Sequence, residues 1–469
     1  MTMSSEDSSG ACVGDALPAM STPRADASLS ILGPRYRMAT IGMVVLVALG
    51  AFEALAVATA MPTVALELDG LRLYALAFGG TLATSVIGMT LAGSWSDRRG
   101  PGPALYAGLA CFVLGLLVAG LAQQMPTLII GRLLQGLGAG AYSVALYVIV
   151  GRLYPEALRP RMFAAFSTGW IVPSLVGPAL SGLIVEHVGW RWVFLSVPLL
   201  AIPAGLLLRP TLRGLTGTPS AAQDQQRVYW AIGSATGILL LYLGGQQREL
   251  DALLWLLPGL ALLLLCTWRL LPAGTLRLGR GLSSVIVLRG LAAAAFFGCE
   301  AFLPLLLSHH RGLSPWHAGL ALGIGALGWC SGSWYQGNHT RAWSRSGLVV
   351  TGVGLMVVGI AGSALVLTTQ PVWLAIVAWA LTGLGMGLVY PSLSVLTLAL
   401  STPAQQGRNT SALHLSEAIA VATTLAVSGS LFAFLLTQSE RAAYVACFIA
   451  PIGLVLLSVL VARRVQDTR

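Results

Sequence analysis

The sequence predicts an all-α polytopic membrane protein, and three observations carry that fold class. Of its 469 residues, 56% are hydrophobic and only 9% are charged, whereas soluble domains carry about 25% charged residues. Mean hydropathy is +0.80. Continuous apolar runs near or above the roughly 18 to 20 residues that cross a bilayer recur along the whole chain. A membrane barrel would instead need short alternating strands.

The elements follow in order. Residues 1–37 are rich in Ser, Ala and Asp and lack an apolar run, which predicts a disordered cytoplasmic tail and not a signal peptide. Spans are predicted at 38–61, 74–95, 103–122, 127–150, 162–185 and 192–208, forming an N-terminal six-helix bundle over 38–208. The linker 209–280 holds two shorter runs, 228–245 and 251–271; the first is marginal in length, and an interfacial hairpin is its alternative. Six further spans, at 284–307, 316–335, 347–368, 372–399, 410–436 and 442–462, form a C-terminal bundle over 281–462, with a cytoplasmic tail at 463–469. The expectation is fourteen transmembrane helices, or twelve if the linker pair does not cross.

Charge placement orients the bundle. The net charge is +10 and every basic residue is arginine, which excludes a lysine-dependent nucleotide loop and Schiff-base chemistry. Arg98 and Arg99, then Arg152, Arg159 and Arg161, then Arg209, Arg213 and Arg227 fall in successive even-numbered connections, while the opposite connections hold single arginines. Positive-inside bias therefore explains the charge better than nucleic-acid binding and places both termini in the cytoplasm. Arginine-only basicity with Ala/Gly/Leu-rich helices points to a GC-rich bacterial genome and so to the inner (cytoplasmic) cell membrane. Six scattered cysteines show no paired spacing and read as small core residues, not disulfides or metal ligands. No nucleophile–base constellation or metal cluster emerges, so the chain does not read as an enzyme.

Two ionisable residues stand out inside apolar runs. Arg132 lies within 127–150, where a guanidinium that never loses its proton must face a partner or a watery cavity. Glu53 lies mid-helix among Ala, Leu and Val, where desolvation penalises its charged form and a nearby Arg132 opposes that penalty. Glu300 opens the C-terminal half in the repeat position of the first helix. His414 and Glu417 are one helical turn apart and share a face. Trp170 and Trp379 are aromatic candidates for a flat or cationic cargo, against interfacial anchoring or packing as the alternative. His309, His310 and His317 read as an exposed loop, not a metal site.

The chain also repeats itself. Gly93-Ser-Trp is echoed by Gly332-Ser-Trp, and Gly136-Leu-Gly-Ala-Gly140 by Gly383-Leu-Gly-Met-Gly387, 247 residues later. Two six-helix halves are the footprint of a transporter that rocks about a central site. Asp97 becomes Gln336 and Arg132 becomes Trp379, so the N-terminal half is expected to keep the charges and to handle proton coupling, with the other half shaping the cargo cavity.

On these residues the chain resembles the major facilitator superfamily, and within it the fourteen-helix drug:proton antiporters. Gly93-Ser-Trp-Ser-Asp-Arg-Arg-Gly100 is similar to that group's loop signature G-x-x-x-D-R-x-G, with Pro101-Gly102 where the family continues Arg-Lys. Arg132-Leu-Leu-Gln-Gly136 resembles R-x-x-Q-G, and Gly177-Pro-Ala-Leu-Ser-Gly182 resembles G-P-x-x-G-G with Ser181 in place of a glycine. Gly189-Trp-Arg-Trp-Val-Phe194 with Pro198, and Phe52-Glu53 with Pro62, match two further signatures, the second with Glu in place of Asp.

The resemblance implies the major facilitator fold: two pseudo-symmetric six-helix bundles with two extra helices between them. It implies proton coupling through Glu53 and Arg132, and a substrate cavity touched by Glu300, His414, Glu417, Trp170 and Trp379. Gating would fall to Gly93, Asp97, Arg98 and Gly100 and to Gly169, Gly177, Pro178 and Gly182 of the fifth helix. It implies no cofactor beyond the proton gradient, and as partners the bilayer, protons and a small hydrophobic or cationic substrate, handled by a monomer. Alternatives are export of an endogenous lipid, glycolipid or siderophore, or proton-symport import of a nutrient.

Overall fold

A computed structural model describes residues 30–465 apart from 156–157, 216–224, 246, 248–250, 273, 276, 278, 339–343, 369 and 402–405. The predicted N-terminal tail thus falls largely outside the described residues, as does most of 463–469. Helices dominate, and no strand occurs among the described residues. The N-terminal half comprises α1 (Arg37–Glu67), α2 (Tyr74–Arg99), α3 (Pro101–Gly120), α4 (Met125–Leu153), α5 (Arg159–His187) and α6 (Arg191–Leu207). The linker contributes a single turn, α7 (Arg209–Leu212), then α8 (Gln225–Gly244) and α9 (Asp251–Leu270). The C-terminal half comprises α10 (Leu282–Leu305), α11 (Pro315–Asn338), α12 (Arg345–Ser363), α13 (Val372–Ala399), α14 (Gln406–Leu436) and α15 (Glu440–Ala462).

Eleven of these helices are long and apolar enough to cross a membrane, and α6 is a shorter apolar helix. The linker helix α9 is among the eleven, whereas α8 and α11 are not. Each predicted span corresponds to one helix. Large apolar side chains left on the outside, such as Leu254, Leu257, Leu264 and Trp268 of α9, have no reason to be exposed in water and a good one in lipid.

The glycine repeat shows why the halves pack alike. Gly136 and Gly140 of α4 lie against Thr81 and Ser85 of α2, while Gly138 between them lies against Phe112 of α3. In the second half Gly383 and Gly387 of α13 lie against Gly325 and Trp329 of α11, while Gly385 lies against Gly352 of α12. Residues four apart share one helix face and the residue midway points elsewhere. The same three glycines therefore seat one helix between its two neighbours in both bundles, and small residues let those backbones approach closely.

The two bundles meet at the end that carries the 68–73 connection. Gly182 of α5 crosses the start of α11, where an added Cβ would lie 2.7 Å from the Trp316 Cα and 2.8 Å from the Pro315 carbonyl oxygen. Gly319 packs reciprocally on the Pro178 carbonyl. The Trp316 N–H donates to the Glu186 carboxylate (2.9 Å), and the Tyr74 hydroxyl of α2 donates to the Ala301 carbonyl of α10 (2.7 Å). Gly79 of α2 sits against Ala422 and Leu425 of α14. α8 covers this α2–α14 seam from outside: its Tyr242 hydroxyl donates to the Arg72 carbonyl (2.8 Å), and Gly245, just past its end, lies against Ser430.

Candidate functional site

Arg132 enters the structure as one half of a buried ion pair. The α4 glycines bring that helix against α2, so the guanidinium reaches across to α1 and binds the Glu53 carboxylate through Nη1. Both residues are about 5% exposed. The same Nη1 donates to the Gln135 side-chain oxygen (2.8 Å), and Nε donates to the Ala77 carbonyl of α2 (2.9 Å). A buried pair is stabilised when its remaining donors find acceptors, and here a carbonyl and an amide take two of them. The two charges expected from the sequence to act together are in contact.

The C-terminal half carries a charged cluster that comparing repeat positions did not reveal. Arg289 of α10, 2% exposed, donates from Nε to Glu417 of α14 (3.0 Å) and from Nη1 to the Tyr390 carbonyl (3.1 Å) and the Ser394 hydroxyl (3.2 Å) of α13. Its guanidinium carbon lies 3.0 Å from the centre of the Tyr390 ring, and the Tyr390 hydroxyl donates to Glu417. His414 reaches within 3.8 Å of the same carboxylate, and its side chain is 47% exposed. Each half thus contains an Arg–Glu pair built on different helices, the first buried on both sides and the second with Arg289 buried and Glu417 half-buried.

Glu300 behaves differently from both paired carboxylates. It is partly exposed on α10, and among the described residues it has no ion pair and no hydrogen bond. It lies on the same stripe of α10 as Arg289 and Phe296, given eleven and four residues of separation at 3.6 residues per turn. Phe296 stacks on Trp379 (4.8 Å between ring centres) and meets Trp329 edge-on (5.2 Å). Trp379, expected in the cargo cavity, is wholly buried in this stack. It occupies the place of Arg132 in the repeat and serves there as core.

Trp170 of α5 is 51% exposed. Tyr147 of α4 is equally exposed, stacks on Phe163 of α5 (5.5 Å) and stands within electrostatic reach of Arg289 and Glu417 in the other bundle. Tyr147 thus lies half-exposed on a part of α4 that is near the C-terminal half, toward the Gly100 end and away from the closed crossing of α5 and α11.

The loop residues divide. Gly93 has open space where a Cβ would stand, and Gly100 adopts a φ of 84° between α2 and α3, a conformation that favours glycine. Arg98 is exposed; Asp97 ends α2, but its side chain lies outside the described residues. Its repeat mate Gln336 accepts a hydrogen bond from Arg345. On α5, Gly169 and Gly177 make ordinary contacts with α1, and Ser181 donates to the Ala56 carbonyl (2.7 Å). His309 joins the Tyr444 hydroxyl (2.6 Å) and Glu440 (3.2 Å), and no group of three or more metal-ligating side chains occurs among the described residues.

Sequence reasoning passed over Arg289, Tyr390, Ser394 and Glu186. Arg289 carried the one available signal, a charge seven residues inside an apolar helix; the others are ordinary residues until their partners are known.

Comparison with known proteins places this geometry. The profile described as Major Facilitator Superfamily matches residues 41–424. The chain is 27% identical over 377 residues to the multidrug transporter protein MdtP of Bacillus subtilis, covering 76% of this chain and 68% of that one. It is 23% identical over 405 residues to the multidrug efflux pump SdrM of Staphylococcus aureus, covering 84% and 89%. Among solved structures, a D-xylose–proton symporter superposes with a TM-score of 0.66 at 14% identity, covering 93% of this chain and 99% of that one. A bacterial homologue of the human lysosomal transporter Spinster, inward-facing and unoccupied, gives 0.63 at 14% identity, covering 92% and 96%. With a profile match over most of its length and the same helical architecture, the chain belongs to the Major Facilitator Superfamily and is a membrane transporter, not an enzyme.

Proposed function

We propose that this protein is a proton-coupled exporter of hydrophobic or cationic compounds, working by alternating access across the cytoplasmic membrane with both termini inside. In this reading all fourteen long helices cross the bilayer, α8 and α9 as an added pair between two six-helix bundles, and a monomer is the working unit. The observation that carries it is the buried Glu53–Arg132 pair, because a titratable carboxylate held beside a permanent cation inside the protein changes the net charge of the site each time it gains or loses a proton, which gives transport a charge to couple to. Glu53 takes a proton from outside when the site is empty and releases it inward as cargo engages.

Glu300 is the cargo's counter-charge, and Trp170, His414 and Glu417 line the gap that admits it. Asp97 and Arg98, in the Gly93–Gly100 segment, tether the bundles on the cytoplasmic side. The fifth helix, through Gly169, Gly177, Pro178 and Gly182, seals the opposite side against leak. The names of MdtP and SdrM support drug cargo over an endogenous lipid or a nutrient.

The test uses inverted membrane vesicles carrying a proton gradient. Addition of cationic dyes should release protons from wild-type vesicles, and Glu53→Gln should abolish that release. Substrate accumulation without proton movement would refute the coupling. A response to lipids and none to dyes would replace the cargo.

A further inference from the structure

We propose that Gln135 is the positioning residue that lets Glu53 change protonation state without stranding Arg132, and that it thereby sets the pH at which transport is coupled. This rests on the exporter reading given above.

The argument starts from what a proton does to the pair. Glu53 as a carboxylate and Arg132 as a guanidinium are together neutral. When Glu53 takes up one proton, no other charge changes, and the pair becomes a single buried cation. Removing the partner of a buried charge is far more costly than never burying the pair, so Arg132 needs other acceptors ready in place. The structure supplies two. The Ala77 carbonyl takes Nε, and the Gln135 oxygen takes the second hydrogen of the same Nη1 that holds Glu53.

Gln135 is chemically suited to this in a way Ala77 is not. It is wholly buried. Arginine can only donate, so Gln135 must present its oxygen to Nη1, which leaves its amide nitrogen facing away from the guanidinium. That nitrogen is buried and has no hydrogen-bond partner among the described residues. A buried donor left unmet is a cost, and this one belongs to the side chain that shares Arg132 Nη1 with the Glu53 carboxylate, so a small rearrangement would give it a use. Gln135 can accept from Arg132 through one end of the amide and donate to Glu53 through the other. It therefore supports the cation when Glu53 is neutral and the carboxylate when Arg132 shifts.

Few other charged groups face Glu53. α4 adds the Tyr142 hydroxyl. α2 offers the Ala77 carbonyl, with Arg98 and Arg99 far off at its end. α5 and α6 carry their titratable residues near their ends, Arg159, Arg161, Glu186 and His187 on one and Arg191 on the other. Across the interface α10 brings Glu300, its Arg289 being held by Glu417, and α11 brings His317 in its first turn together with Cys330 and Tyr335. Gln135 is the neutral side chain among these that touches the arginine directly.

Two substitutions of similar size should act in opposite directions. Gln135→Glu puts a second carboxylate against Arg132, and two like charges sharing one cation favour uptake of a proton. The half-maximal point of substrate-evoked proton release should move to higher pH by about one unit. Gln135→Met removes the neutral acceptor, so Arg132 leans on Glu53 alone and favours its carboxylate; the same point should move to lower pH by a similar amount. The readout is the pH profile of proton release in proteoliposomes, with the pH dependence of dye binding to purified protein as a second measure where a variant binds but does not turn over. Opposite shifts support the assignment. Shifts in the same direction, or an unmoved profile in a variant that still binds dye, overturn it. If Gln135→Glu does not fold, the sign of the Gln135→Met shift alone decides. A wild-type protein that releases no protons refutes the exporter reading itself, a result distinct from wild-type release with unshifted variants.

Discussion

Glu53 and Glu300 stand 247 residues apart, at the spacing of the glycine repeat, yet Arg132 clasps the first while the second meets no cation among the described residues. The helix that should supply the missing arginine supplies Trp379, which is buried against Phe296. At this pair of repeat positions the N-terminal half carries its own counter-ion, and the C-terminal half carries none among the described residues.

Glu300→Gln should therefore discriminate by charge. Transport of a monovalent organic cation is expected to fall about tenfold, equivalent to about 1.4 kcal/mol, while a neutral compound of similar size falls little. Parallel initial-rate measurements in vesicles decide this, and equal losses for both compounds would remove Glu300 from cargo recognition.

Arg132→Met leaves Glu53 buried without its cation. Breaking a buried pair from one side costs about 3–5 kcal/mol, and adding Glu53→Gln should restore part of that loss, because neighbours in one network are not additive. Thermal unfolding of the two single variants and the double variant in detergent measures the coupling. Additive losses would mean that the pair does not act as a unit.

In the second cluster the order of losses is the prediction. Tyr390→Phe removes one donor to Glu417 but keeps the ring beside Arg289, at a cost of about 1–2 kcal/mol. Arg289→Met strips Glu417 of its cation and should cost more, about 3–5 kcal/mol. Unfolding midpoints that rank the other way would show that the cluster is not organised around the arginine.

Gly182→Val places branched carbon where the Trp316 and Pro315 backbones already crowd, and Glu186→Ala removes the acceptor for the Trp316 N–H. Both should weaken the closed end. A cysteine placed near Pro315 should become several-fold more reactive toward a membrane-impermeant thiol reagent applied from that side. Unchanged labelling in both variants would show that the crossing does not hold the bundles together.

Much of this was legible in the sequence, for reasons that differ by residue. Glu53 and Arg132 announce themselves because an ion in an apolar run needs a reason to be there, and their pairing followed from helices known to share a bundle. The helix order was legible because bilayer thickness fixes run length. Arg289 escaped because it follows closely on Arg277 and Arg280, where arginines are expected outside the membrane. The repeat comparison did not reveal the Arg289–Glu417 pair either, because a repeat sets equivalent positions side by side and this pair uses positions that have no charged mate. Glu186 with Trp316 was invisible, since nothing local marks a carboxylate that meets a backbone N–H 130 residues away. Trp379 shows the opposite limit, as a large aromatic reads equally as cavity wall or as core until its neighbours are known.

The position of α8 bears on how the two sides of the body meet the lipid. Two lateral seams separate the bundles, one between α2 and α14 and one between α5 and α11. Tyr242 and Gly245 fix α8 over the first like a gasket, with the Arg72 carbonyl on one side and Ser430 on the other. The second shows Ile171, Val172 and Leu175 of α5 bare. Seen from the lipid, one seam is roofed by an added helix and the other, though tightly packed at Gly182 and Gly319, is bare, so the inserted pair breaks the two-fold likeness of the body on its outer surface.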